Sequence, residues 1–204
     1  MRIISHRGLW KTPDEKNKRV AFDRTLAAGF GTETDVRDQN GRLVVSHDPP
    51  TADEMAWTDI VQAFDGSDLP LAVNVKADGL APLLKNAFEG RAIDWFAFDM
   101  SGPETLRYQR AGLPYFTRHS DIEPDPILYA DARGVWLDAF HTDWFDCNTI
   151  KTHLNFGKSV CIVSSELHGR DPSTLWQMLA PLQNLQGLIL CTDKPDQAVR
   201  DIKS

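Results

Sequence analysis

No apolar run in the chain approaches the ~18 residues that a membrane span requires, and the first ten residues, MRIISHRGLW, become charged too early for a secretion signal. The expectation is a soluble, cytoplasmic protein. Basic runs are missing as well. With 22 Lys and Arg against 29 Asp and Glu the formal net charge is −7, which argues against nucleic acid as a partner, because affinity for a phosphate backbone rests on clustered cations. A few local cations would still suffice for one small phosphate. Cysteine is scarce: Cys147, Cys161 and Cys191 are odd in number and show no Cys-x-x-Cys spacing, so buried reduced thiols are expected rather than a disulfide or a sulfur-built zinc site. The six tryptophans are scattered and not gathered into an insertion loop, which argues against stable membrane association.

What the chain does contain is a succession of short β-branched or aromatic runs, at residues 3–5, 32–36, 43–46, 72–75, 96–98, 115–117, 135–137, 160–163 and 188–191. Most are separated by stretches long enough for a helical crossover, which implies a parallel sheet with covering helices. Residues 17–30 read as the first crossover helix, with Gly29 at its C-terminal end; residues 103–111 read as a later one, with Ser101 as N-cap, Pro103 in the first turn and Gly112 after the end. Nine runs are one too many for an eight-stranded barrel. The run at 43–46 follows 32–36 across only six residues, too few for a helix, so one of these two departs from the repeat in a direction the sequence leaves open. At 204 residues the chain fits a single domain, 1–204.

Several runs stop at groups with titrating or metal-binding chemistry. Ile3-Ile4 leads to Ser5-His6-Arg7-Gly8; Glu33-Thr34-Asp35-Val36 places two carboxylates two residues apart, on one side of a strand; Gly41-Arg42-Leu43-Val44-Val45-Ser46 leads to His47-Asp48. Two imidazoles near pKa 6.5 suit the paired proton transfers of phosphodiester cleavage, and two carboxylates without sulfur suit a hard cation.

With Gly187-Leu188-Ile189-Leu190-Cys191-Thr192-Asp193-Lys194-Pro195 near the end, these strings in this order resemble the glycerophosphodiester phosphodiesterases, whose superfamily also holds phosphatidylinositol-specific phospholipase C and sphingomyelinase D. The resemblance spans nearly the whole chain. It implies an α/β fold, a single (β/α)8 TIM barrel, and a metal-assisted phosphodiesterase with His6 and His47 as catalytic residues. Arg7 and Lys76 are then phosphate-binding, and Glu33, Asp35 and Asn74 hold a divalent cation, Mg2+ or Ca2+. The family's third ligand is acidic; in Leu71-Ala72-Val73-Asn74-Val75-Lys76 its place is taken by Asn74, which brings an oxygen and no charge. Relatives also carry a sizeable insertion after the second histidine. Here only residues 49–70 precede the next strand, so the cap should be short or absent and the substrate a small, soluble glycerol- or polyol-linked phosphodiester.

Alternatives are a phospholipase C-like lyase that leaves a cyclic phosphate, and a non-catalytic phosphodiester-binding descendant. Later strand ends carry Asp99, Arg118, Asp138, Glu166, His168 and Arg170, of which Arg118, Glu166, His168 and Arg170 are weak candidates for contacting the alcohol portions. Asp193 reads as a turn and helix cap, and His119, His141 and His153 as surface or packing residues.

Overall fold

The computed structural model describes residues 1–51 and 54–203. Ala52 and Asp53, inside the 49–70 stretch expected to form the small cap, lie outside the described residues. Among the described residues ten strands run in chain order: β1 (Arg2–His6), β2 (Gly31–Gln39), β3 (Arg42–Val45), β4 (Met55–Ala56), β5 (Leu71–Val75), β6 (Trp95–Phe98), β7 (Phe116–His119), β8 (Gly134–Leu137), β9 (Ser159–Val163) and β10 (Leu188–Thr192). The α-helices are α1 (Arg19–Ala27), α2 (Trp57–Phe64), α3 (Ala81–Phe88), α4 (Gly102–Ala111), α5 (Cys147–Asn155), α6 (Ser173–Leu179) and α7 (Pro195–Lys203).

Eight strands pair in parallel and close on themselves. β1 lies between β10 and β2, β2 pairs β5, β5 pairs β6, and β7, β8, β9 and β10 follow in turn. A parallel bridge between Ala97 and Tyr115, with Ala97 N–H donating to the Pro114 carbonyl at 2.9 Å, joins β6 to β7 and completes the (β/α)8 barrel. The supernumerary run is β3, which folds back antiparallel on β2 with Val36 opposite Val45 and continues into the two-residue β4. One crossover departs from the repeat: residues 120–133, between β7 and β8, contain no helix among the described residues. Pro124 and Pro126 in that stretch remove backbone donors and fix φ, which disfavours a helix there.

The barrel interior is filled by Ile4, Ala72, Phe96, Phe98, Phe116, Trp136, Cys161, Val163, Ile189 and Cys191. Phe96 stacks on Phe116 with ring centroids 3.6 Å apart, and Phe98 on Trp136 at 3.7 Å, closing the floor beneath the strand ends. Cys161 and Cys191 are free thiols within this packing, and burial pushes both well above the usual thiol range, which leaves them unreactive. Helix α4 is capped as its residues dictate: Ser101 Oγ accepts from Glu104 N–H at 3.3 Å, and Gly112 ends the helix in the left-handed region. Helix α1 starts later than expected, at Arg19, because Asn17 adopts a left-handed φ of 59° and is directed into the barrel rim. No described helix is long and apolar enough to cross a membrane.

Candidate active site

The C-terminal ends of β1, β2 and β5 meet at one side of the barrel mouth. Strand register sets the arrangement: His6 stands opposite Glu33, and Asp35 opposite Asn74. After His6 the chain turns sharply through Arg7 (φ 57°) and Gly8 (φ 85°). A Cβ on Gly8 would sit 2.7 Å from Ala21 Cβ, so only glycine lets helix α1 pack this close to the turn. A buried hydroxyl network fixes the turn from below. Thr32 Oγ1 accepts from Gly8 N–H at 3.1 Å, Thr25 Oγ1 accepts from Leu9 N–H at 2.7 Å, and Ser5 Oγ lies 2.9 Å from Thr25 Oγ1.

His6 Nδ1 is 2.7 Å from Asp193 Oδ1, and its Nε2 is 3.8 Å from Glu33 Oε2. Burial alone would raise the Asp193 carboxyl, but the His6 hydrogen bond and charge, Lys16 at 3.9 Å and the Trp10 indole at 3.3 Å outweigh it and hold the carboxyl below the usual range. Asp193, whose place before Lys194-Pro195 suggested a turn and helix cap, holds its carboxylate against a histidine 187 residues away. An ionised carboxylate at Nδ1 keeps the proton there and leaves Nε2 with its lone pair toward the site.

Glu33 and Asp35 are both buried. Burial, with the charge of Asp35 added, pushes Glu33 up to about 7 against the lowering effects of His6, Arg7 and Lys76. Arg7 Nε lies 2.9 Å from Asp35 Oδ2, a charge contact without hydrogen-bond alignment, and Lys76 Nζ is 3.5 Å from Asp35 Oδ1. Asn17 Nδ2 donates to Asp35 Oδ2 at 2.8 Å, a contact that nothing in the local sequence announced. Arg37, the other cation near this strand, donates instead to the His47 carbonyl at 3.0 Å.

Three oxygens at this point, Glu33 Oε1, Asp35 Oδ1 and Asn74 Oδ1, are buried with no hydrogen-bond partner among the described residues. A buried polar atom left without a hydrogen bond costs roughly 1–3 kcal/mol, so three on adjacent, paired strands call for a further partner beyond the ion pair that Lys76 makes with Asp35 Oδ1. An all-oxygen set from two carboxylates and an amide suits Mg2+ or Ca2+. Among the described residues no three His, Cys, Asp or Glu side chains surround one point, so the third ligand of such a site would have to be the Asn74 amide.

A pocket of about 390 Å³ lies at this mouth, lined at this end by His6, Arg7, His47, Asn74 and Lys76; Glu33 and Asp35 are buried behind its wall and do not line it. His47 is half-exposed, and its Nδ1 is 2.9 Å from Asp48 Oδ1. Arg118 and His168 line the other end, so six of the expected catalytic, phosphate and substrate residues, with Asn74, share one cavity. Glu166 and Arg170 do not line it. Glu166 accepts from Ser164 Oγ, Thr192 Oγ1 and, at 3.0 Å, Asp193 N–H, which props the loop behind His6. Arg170 donates to the carbonyls of Phe140 and Ala139 at 2.9 and 2.6 Å and so braces residues 139–143. Both side chains engage loop hydroxyls and backbone away from the cavity lining.

No protein-family model and no curated sequence matches the chain. Its fold is similar to that of a phosphodiesterase from Oleispira antarctica solved in complex with the product sn-glycerol-3-phosphate, with a TM-score of 0.73 and 12% identity over 100% of this chain and 97% of that one. A phosphoribosyl anthranilate isomerase from Thermococcus kodakaraensis aligns with a TM-score of 0.47 and 10% identity over 98% of this chain and 97% of that one.

Proposed function

We propose that the chain is a divalent-cation-assisted phosphodiesterase that hydrolyses a small phosphodiester at the mouth of its barrel. The observation that carries this reading is the set of three buried oxygens of Glu33, Asp35 and Asn74 that lack hydrogen bonds among the described residues, beside an oriented imidazole and two cations. Glu33, Asp35 and Asn74 would hold Mg2+ or Ca2+, which when bound neutralises charge on the phosphoryl oxygens.

The remaining chemistry belongs to the protein's own side chains. His6, its Nδ1 proton directed to Asp193, takes up at Nε2 the proton of the attacking water. His47, on the wall of the same pocket, returns a proton to the leaving alkoxide. Arg7 and Lys76 place positive charge where the transition state spreads its negative charge over the phosphoryl oxygens. They also offset the two carboxylates, two charges against two, so the cation should bind weakly alone and more tightly with substrate phosphate.

The reading is tested with glycerophosphodiesters and a generic diester, bis(p-nitrophenyl) phosphate, in the presence and absence of Mg2+, Mn2+ and Ca2+. Cation-dependent release of a phosphomonoester is expected. No release from any diester with any cation rejects the proposal.

A further inference from the structure

Asn17 is buried at the barrel rim with a left-handed φ of 59°, a conformation that asparagine tolerates better than most residues, and its N–H donates to the Arg7 carbonyl at 2.9 Å. Its side-chain amide is engaged at both ends. A carboxylate oxygen only accepts, so Nδ2 is the group 2.8 Å from Asp35 Oδ2, and the amide oxygen Oδ1 accepts from Thr34 Oγ1 at 3.0 Å. Turning the amide would break both of these buried bonds, so its orientation is fixed.

The consequence falls on the carboxylates beside it. Asp35 Oδ2 is held by Asn17, while Oδ1 has no hydrogen bond among the described residues and only the Lys76 ammonium 3.5 Å away. Arg7 Nε is 2.9 Å from the same Oδ2 but is not aligned as a donor, so the directional hold on that oxygen is the Asn17 amide. Glu33 repeats the pattern: its Oε2 accepts from the Arg7 N–H at 3.2 Å, and its Oε1 is buried without a hydrogen bond among the described residues. Asn74 has one side-chain oxygen to give, and that oxygen too lacks a hydrogen bond. Each of the three side chains therefore offers a single oxygen.

That count separates the two hard cations. Ca2+ takes about six to eight oxygens and often draws two of them from one carboxylate, whereas Mg2+ takes about six in a strict octahedron, keeps several waters, and is commonly held by one or two carboxylates with phosphate oxygens completing its shell. We infer that Asn17 is a positioning residue that selects the cation: by tying up Asp35 Oδ2 it holds this carboxylate to one ligating oxygen, which suits the site to a cation of Mg2+ size in preference to Ca2+. The inference rests on the phosphodiesterase reading for the presence of a divalent cation and narrows that cation's identity.

Calorimetric titration with MgCl2 and with CaCl2, in wild type and in Asn17→Gly, reads the ratio of the two affinities; each titration is repeated with sn-glycerol 3-phosphate present. Glycine adopts the left-handed φ without strain, so this variant removes the amide and keeps the turn. The charges of Glu33, Asp35, Arg7 and Lys76 act on both divalent cations alike and do not set the ratio. Wild type should prefer Mg2+, and Asn17→Gly should move the ratio toward Ca2+ by roughly tenfold or more, the worth of one hydrogen bond to a charged group. Thr34→Val, which keeps the amide and removes the hydroxyl that orients it, should move the ratio the same way by a smaller factor, and it carries the test if Asn17→Gly does not fold. A merely structural role for Asn17 weakens both cations equally. An unmoved ratio in the variants, or a wild-type preference for Ca2+, overturns the inference. Failure of the divalent-cation reading itself looks different, since wild type then binds neither cation with or without the phosphate ester.

Discussion

The barrel holds two histidine clusters that are wired in opposite ways. Around His6 the partners are carboxylates, a pocket is open, and three buried oxygens are left over. Around His153 nothing is left over: its Nε2 lies 2.9 Å from His119 Nδ1, its Nδ1 lies 2.8 Å from the Tyr129 hydroxyl, and His119 packs edge-on against Trp144. Burial, with the neighbouring His119 added, pushes His153 down to about 4, so it is a neutral, fully bonded imidazole that ties α5 to the helix-free 120–133 crossover. Reactive capacity resides where polar atoms remain unspent, and the presence of histidine alone does not locate it.

The sharpest way to break this contrast is to exchange the roles. His6→Ala or His47→Ala should lower turnover by ~10² to 10⁴-fold with the thermal midpoint retained, the usual worth of a general acid or base. His153→Asn should leave turnover unchanged. A His153 variant that loses turnover while His6→Ala keeps it would reverse the assignment.

A smaller effect concerns the unspent oxygens. Asn74→Asp adds a third negative charge beside Glu33 and Asp35, and a close charge contact in a partly desolvated site is worth on the order of 1–4 kcal/mol. Titration with Mg2+ and Ca2+ should then show roughly ten- to several-hundredfold tighter binding. Equal affinities in the two proteins would remove Asn74 from the metal site.

The third effect lies in the satisfied cluster. The unfolded chain takes up a proton on His153 near pH 6.5, whereas the folded protein keeps it neutral down to about 4. Its contribution is therefore complete above about pH 6.5 and declines as pH falls toward 4, by an amount on the order of 2 kcal/mol once partial solvent screening is allowed for. Urea unfolding at about pH 7.5 and about pH 4.5 should show a smaller loss in His153→Asn than in wild type. An identical loss would mean that His153 does not titrate in this window.

The barrel was legible because its parallel strands read as short β-branched or aromatic runs separated by crossovers, and eight of the nine runs are barrel strands. The direction of β3 was not legible, since a six-residue connection admits a hairpin and does not fix which run leaves the repeat. Two-residue β4 is too short to leave a pattern. At the site, strand-end position marked His6, Glu33, Asp35 and His47, while Asn74 and Lys76 were marked only by the family resemblance. Asp193 and Asn17 were missed for a physical reason: their contacts with His6 and Asp35 bridge 187 and 18 residues and depend on barrel closure and on a left-handed turn at Asn17. In sequence, a charged residue that braces a loop, as Glu166 and Arg170 do, looks like one that faces a ligand.

The most direct test of the central claim is phosphorus NMR of a glycerophosphodiester incubated with Mg2+ and either wild type or His6→Ala. The account predicts that wild type converts the diester resonance to a phosphomonoester, and that the conversion falls by at least ~10²-fold in the variant. Equal conversion by both proteins, or an unchanged diester in both, would contradict it.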